Sequence, residues 1–259
     1  MTVSTTNNRK TYTGDGVSGL YIWGAQVEQG SFPTSYIPSS VTFTGRASTG
    51  TYIGSNGLIQ TAASGAARYS YNPLNLAAAP SLLLEEARTN LLLRSEEFDN
   101  AAWTKSNSSV TANATTAPDG TTTADTFSQT GATTGHLNHA SGYSITSGQT
   151  YTFSCYLKKI DQSTMYFLFY GANFNSGGAN CVAQFNLDTG VSSTAGGVLA
   201  GHGMQSVGNG WWRCWATVTA TTTGVVTDQL LRFTDPGAAR SVYVWGAQLE
   251  AGAFPTSYN

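Results

Sequence analysis

The sequence predicts an all-β protein: a jelly-roll β-sandwich preceded by a β-hairpin connector and an N-terminal strand segment. Three observations carry that prediction. Only 10% of the 259 residues are charged, against about 25% in ordinary globular domains. Gly is plentiful at 29 residues, Thr, Ser and Asn fill much of the rest, and aromatics reach 12%. A disordered chain would lack those aromatics and carry more charge, whereas short strands joined by polar turns need this mixture. Finally, turn signals recur about every 10–20 residues from Phe98 onward, with apolar or alternating segments between them.

In chain order, Met1–Ser18 is polar and extended until it pairs with something. Leu20–Gln26 alternates as a strand, and Phe32–Pro38 is an exit whose prolines deny ladder donors. Thr51–Ile53 and Leu58–Thr61 flank an Asn56-Gly57 turn and form a hairpin. The stretch through Tyr69–Pro80 is too poor in apolar residues for a core of its own, so it should lie extended or pack on other chains. Ser81–Phe98 is the one place where propensity favours helix. Thr89-Asn90 interrupts it, so at most one helical turn is expected, with Asn90–Leu93 extended. These textures divide the chain into 1–40, a connector 41–84 and a module 85–259.

Within the module, strands are expected at Asp125–Gln129, His136–Ile145, Tyr151–Lys159, Met165–Tyr170, Cys181–Leu187, Met204–Val207, Trp211–Ala220, Gln229–Thr234 and Ser241–Leu249. Tyr151, Phe153, Cys155 and Leu157 fall on one face. Asn209-Gly210 marks a second hairpin.

The chain also repeats itself. Tyr21–Tyr36, YIWGAQVEQGSFPTSY, returns without a gap as Tyr243–Tyr258, YVWGAQLEAGAFPTSY, identical at twelve of sixteen positions. Each copy reads as the closing strand and exit loop of a β-domain, with Trp23 and Trp245 in the core. Only the second copy has a whole domain in front of it. The first therefore completes a sheet of another chain by strand addition, folds back on its own module or threads through an oligomer stalk.

Composition excludes several classes of function. A net charge of −2 offers no basic surface for nucleic acid or anionic lipid. No apolar run approaches a membrane span, and MTVSTTNNRKTYTG lacks the apolar region of a secretory leader. Cys155, Cys181 and Cys214, an odd set without CxxC spacing, suit burial as small hydrophobes in a protein folded in a reducing cytoplasm. His136, His139 and His202 lack zinc-ligand spacing. No nucleophile elbow or P-loop is present, and the carboxylates beside Arg88 and Arg94 read as solvated or paired, so no enzymatic activity is expected. No cofactor is expected either. Glu96, Glu97, Asp99 and Asp125 offer oxygens for a structural calcium, but a solvated acidic turn is the stronger reading.

EEARTNLLLRSEEFDNAAWTK (Glu85–Lys105), APDGTTTAD (Ala117–Asp125), GNGWWRC (Gly208–Cys214) and the closing VYVWGAQLEAGAFPTSY together resemble the fibre modules of tailed bacteriophages and the head spikes of gene transfer agents. Arg46–Pro73 resembles the connector before such modules. The resemblance runs from about Tyr12 to the C-terminus. It implies a jelly roll akin to carbohydrate-binding modules, on a virion appendage that meets host-surface polysaccharide. The connector's thin hydrophobicity suits a homo-oligomer, and residues 1–84 are expected to dock to other virion proteins.

Sugar sites need aromatic faces beside amides and a few charges. On Trp211–Trp215, alternation puts Trp211, Arg213 and Trp215 on one face, expected to be the outer one, with Trp212 and Cys214 opposite. These three, Tyr143, Tyr170, and Asn173 and Asn175 in the Gly-rich loop 171–180 are the candidate carbohydrate-binding residues, and Tyr166 is a further candidate aromatic. Core packing competes for each Trp. A purely structural joint without glycan affinity and, further off, a polysaccharide depolymerase remain alternatives.

Overall fold

The computed structural model describes residues 23–27, 35, 49–131, 133–237 and 239–259. The chain forms two compact units, Met1–Thr44 and Gly45–Asn259. Leu20–Ile22 of the strand expected at Leu20–Gln26, and the exit Phe32–Pro38 apart from Ser35, lie outside the described residues; the described remainder, Trp23–Gln26, forms no strand.

The second unit is nearly all β. Its connector contributes β1 (Gly50–Ile53), β2 (Ile59–Ala62), β3 (Tyr69–Ser70) and β4 (Ser81–Leu82). The module follows with β5 (Trp103–Ser106), β6 (Ser108–Thr115), β7 (Ala124–Gln129), β8 (His136–His139), β9 (Tyr143–Ile145), β10 (Thr150–Lys159) and β11 (Thr164–Phe169). One helical turn, α1 (Gly171–Phe174), precedes β12 (Cys181–Asn186), β13 (Val191–Gly196), β14 (Gly201–Gly208), β15 (Trp211–Thr219), β16 (Gly224–Val226), β17 (Leu231–Phe233) and β18 (Arg240–Ala251).

Two six-stranded antiparallel sheets face each other as the predicted sandwich. Sheet I runs β14-β15-β10-β18-β7-β6, and sheet II runs β13-β12-β11-β17-β8-β5. Tyr151, Phe153, Cys155 and Leu157 all enter the core between them, as alternation requires, together with Phe127, Phe167, Phe169, Phe185 and Phe233. Phe153 and Phe167 meet edge to face at 4.7 Å. Each such ring contributes roughly 1.5–3 kcal/mol by leaving water.

The closing strand β18 explains the repeated motif. Val242 and Val244 point into the core, and so do Ala247 and Leu249, which have the opposite parity. A bulge reconciles them: the register against β10 slips between Ser154 and Tyr156. Gly246 sits there at φ 63°, and a Cβ on it would lie 2.9 Å from the Tyr156 ring, so only glycine fits. Trp245 thus turns to the outer side of sheet I. There, with Tyr156, Trp211, Val207, Ile59 and Tyr258, it forms a second, smaller apolar cluster.

The exit segment locks onto the same face. The buried Glu250 carboxylate accepts the Thr256 N–H (3.0 Å) and hydroxyl (2.6 Å) and a hydrogen bond from the Gln248 amide. Tyr258 donates to Glu96 at 2.8 Å, and its ring lies 4.7 Å from Trp245. The first copy reproduces part of this geometry. Gly24 has φ 68°, and Gln26 Nε2 donates to Ser35 O at 3.4 Å, as Gln248 does to Ser257 O at 3.3 Å. Trp23, however, expected in a core, is 85% exposed where Trp245 is 1%. The groups that bury Trp245, namely Tyr156, Tyr258 and Thr123, belong to the module that β18 completes.

Three further stretches take definite form. The connector lies on its own module: Thr51 Oγ1 donates to Tyr258 O at 2.6 Å, and Ile59 N–H to Pro118 O at 3.0 Å. Over 81–98 no helical turn forms, within the expected limit of one, and the stretch from Asn90 is extended as expected. Asn90 pins this strap to β18, accepting from Leu249 N–H (3.0 Å) and donating to Ala247 O (3.1 Å). The single strand expected over His136–Ile145 breaks into β8 and β9 at Gly142, whose φ is 65°.

Candidate functional site

A cleft of about 500 Å³ opens between the connector and the outer face of sheet I. The connector wall carries Tyr52, Ile53, Ser70, Tyr71, Asn72 and Leu83, and the sheet wall carries Tyr156, Gln205, Val207, Arg213 and Trp215. Pro255, Ser257 and Tyr258 of the exit segment close one end.

The sheet wall follows from strand register. Trp215 pairs with Gly203 of β14, and Arg213 with Gln205. On their other side the same residues face Ser154 and Tyr156 of β10. Gly201 and Gly203 leave room that Trp215 fills. A Cβ on Gly203 would lie 2.5 Å from the indole, and one on Gly201 3.3 Å from it. The ring therefore lies flat across the backbone of β14, a fixed aromatic surface at the cleft. Neither glycine has positive φ, so side-chain space and not backbone strain calls for them.

Two kinds of charge meet the cleft. Glu85 is the one carboxylate among the lining residues. Its oxygens are taken by Arg68 Nη1 at 2.9 Å and by the Ser257 N–H at 2.7 Å. Arg213 has no such counter-ion among the described residues. One of its Nη groups donates to Ser154 Oγ at 3.1 Å, and the guanidinium lies 5.4 Å from the Tyr156 ring centroid. Its Nε is buried without an acceptor, a deficit of the kind that costs about 1–3 kcal/mol. The cleft thus offers one uncompensated cation beside a flat indole, with the Gln205 and Asn72 amides and the Tyr52 and Tyr71 rings around it.

Of the seven candidate residues, Arg213 and Trp215 meet here. Trp211 shares their face but is buried at 1%, its Nε1 donating to Thr116 O at 3.2 Å. The hairpin β1–β2 and loop 116–121 cover it, so it offers no ring to a ligand. Tyr143 lies in the core, its hydroxyl donating to the Asp228 carboxylate. Tyr170 N–H donates to the other oxygen of Asp228 at 2.6 Å. Burial pushes the Asp228 carboxyl up to about 6, against the opposing pull of these two hydrogen bonds. Asn173 and Asn175 belong to α1 and its C-cap, where Asn175 accepts from Gly177 N–H and donates to Ala179 O. Tyr143, Tyr170, Asn173 and Asn175 therefore lie in another part of the module, apart from the cleft. The connector side chains of the cleft were not among the candidates, because nothing local places residues 51–73 opposite residue 213.

No protein-family model matches the chain, and no curated protein sequence matches it. Among solved structures it is similar to the enzymatically active domain of tailspike protein 4 of bacteriophage CBA120, with 13% identity and a TM-score of 0.34. The match covers 63% of this chain and 21% of that one, so the chain spans about a fifth of that protein's length. A likeness of this size transfers neither fold nor activity.

Three of the four acidic residues named as calcium oxygens have other partners. Asp125 is 1% exposed and accepts the Phe98 and Asn113 N–H groups at 2.9 Å, while burial raises its pKa. Burial likewise raises Glu96, which accepts from Tyr258, and Glu97 pairs with Arg94 at 3.1 Å. Among the described residues no three His, Cys, Asp or Glu side chains converge as a metal site requires, and no helix is long and apolar enough to cross a membrane.

Proposed function

We propose that this chain is an appendage module, fibre or head spike, of a phage or phage-like particle, and that it attaches the particle to host-surface polysaccharide without catalysis. The observation that carries the binding half is Trp215, laid flat over Gly201 and Gly203 at a cleft that also holds the unpaired Arg213. A pyranose presents an apolar face to such a ring and hydroxyls to Gln205, Asn72 and the Tyr hydroxyls. The particle half rests on the motif resemblance from Glu85 to Tyr258. A non-catalytic role is supported by Glu85: hydrolysis of a glycoside needs two carboxyl groups about 5–10 Å apart, and the cleft's one carboxylate is already spent on Arg68 and Ser257.

The strap that leads into the module supports assembly. Leu82, Leu84, Leu91 and Leu93 are between 36% and 79% exposed, whereas Leu92 between them is buried at 3%. A run of exposed leucines on an extended segment fits a contact with further copies of the chain.

The deciding experiment is binding of labelled protein to host cells before and after periodate oxidation of their glycans. The reading requires binding that disappears with the sugars and that Trp215→Ala lowers roughly tenfold or more. Binding that survives periodate, or that never occurs, removes the adhesin and leaves a structural joint.

A further inference from the structure

The outer face of sheet II differs from that of sheet I. Connector, exit segment and loop 116–121 cover much of sheet I's outer side and leave the cleft. On sheet II the strand pairings instead align one residue from each strand into a row across the whole sheet. Ser106 pairs with His136, His136 with Arg232, Arg232 with Tyr166, Tyr166 with Gln184, and Gln184 with Ser193. The neighbours of these residues along their strands, Leu137, Leu231, Phe233, Met165, Phe167, Ala183 and Phe185, are buried at 0%, so the row points outward. None of the six is buried.

Apart from the His136 ring, which bonds to the Thr134 backbone, the chemistry of this row is largely unspent. Among the described residues the Arg232 side chain has neither a hydrogen bond nor an ion pair, and its Nε is closed off without an acceptor. Asn138, two residues from His136 and on the same face, leaves its Oδ1 buried without a donor. The Tyr166 hydroxyl and the Gln184 amide likewise hold no partner among the described residues. A polar row that served only to solvate the sheet would have its buried polar atoms satisfied. Strands lie about 4.8 Å apart, so the six positions span roughly 24 Å, the footprint of an extended chain and not of a single small molecule. The row contains a ring, a guanidinium, an imidazole, an amide and two hydroxyls, but no carboxylate and no aliphatic side chain. That composition complements a polyhydroxylated anion and gives a folded protein surface little to bury.

We propose that the open face of sheet II is a second glycan-binding surface, separate from the cleft, that takes an acidic polysaccharide strand laid across the β-strands. Tyr166 stacks on one sugar ring, Arg232 takes its carboxylate as a two-pronged donor, and Gln184 and His136 hold hydroxyls on either side. The proposal rests on the glycan-binding reading of the chain but not on the cleft residues.

The test uses the full chain against immobilised polygalacturonate, alginate and polysialate. Controls are each polymer after carboxyl reduction, plus dextran sulfate and oligo(dT). Tyr166→Ala, Arg232→Gln and Arg232→Lys are compared with Trp215→Ala, and thermal melts establish that each is folded. The expected result is binding to at least one carboxylated polymer that falls roughly tenfold or more on carboxyl reduction, in Tyr166→Ala and in Arg232→Gln. Arg232→Lys should recover part of it, since charge returns without the fork. If Trp215→Ala abolishes binding while the sheet II variants bind as wild type, the second surface is wrong and the glycan-binding reading stands. Equal binding to dextran sulfate or oligo(dT) makes the face a general anion site and overturns the carboxylate assignment. If no polymer binds and host cells bind only the untreated sugars, with Tyr166→Ala unaffected, the proposal again falls alone. If cells do not bind either, both readings fall.

Discussion

Gly203 and Trp215 show how much of the cleft depends on a single missing side chain. Gly203→Ala places a Cβ 2.5 Å from the indole, so the ring must leave β14. The expected outcome is a modest loss of stability, about 1–3 kcal/mol by overpacking, alongside a loss of cell binding like that of Trp215→Ala. Gly203→Ala with full binding would mean that the flat ring is not the contact surface. Asp228 gives a second prediction at this scale. Its folded carboxyl titrates near 6, above the usual carboxylate value, because burial disfavours its charge. The folded state therefore holds a proton that the unfolded state has already released. The resulting stability is fully present below the ordinary carboxylate range and is lost as pH rises through about 6. Glu96 and Asp125, also raised by burial, act with the same sign. Melting temperature should fall between pH 4 and 7 at about 2–4 °C per kcal/mol lost, and less steeply in Asp228→Asn. Identical slopes in the two proteins would refute the assignment.

At the scale of elements, β18 and the segment behind it act as a clasp. Glu250 gathers three donors in a site 1% exposed to water. Glu250→Ala strands those donors and should cost about 3 kcal/mol or more. Amide exchange should then rise in 252–259 before it rises in β10, since the clasp opens without the sheet. Uniform acceleration across sheet I would instead show that the clasp and the sheet are one cooperative unit. The glycine bulge at 246 serves the same element, because it lets Val244 and Ala247 both face the core while Trp245 faces the clasp.

For the whole molecule, the exposed strap leucines make the testable claim. If Leu84 and Leu93 meet other copies of the chain, Leu84→Asp combined with Leu93→Asp should lower the mass measured by light scattering. The melt of the module should barely change, because these side chains touch little of it. An unchanged mass would remove the strap from the interface.

What the sequence determined by itself was whatever repeats over short range. Alternation at Tyr151–Leu157 fixed which side of β10 is core, and Asn209-Gly210 fixed a hairpin, with φ 52° and 78° there in the structure. The outward direction of Arg213 and Trp215 followed from the same parity. Strands β5 and β6 are not legible in the sequence, because WTKS and SSVTANAT carry little apolar contrast and their edge positions demand little. What only the tertiary structure decided was which outward residues are covered and what stands opposite them. Trp211 and Trp215 have equal parity, yet the hairpin shuts one away and leaves the other at a cleft. Tyr143 and Asp228 meet across 85 positions. The row on sheet II exists only through register between strands remote in sequence. Parity is a property of the local backbone, whereas burial and apposition depend on which distant segment arrives above it.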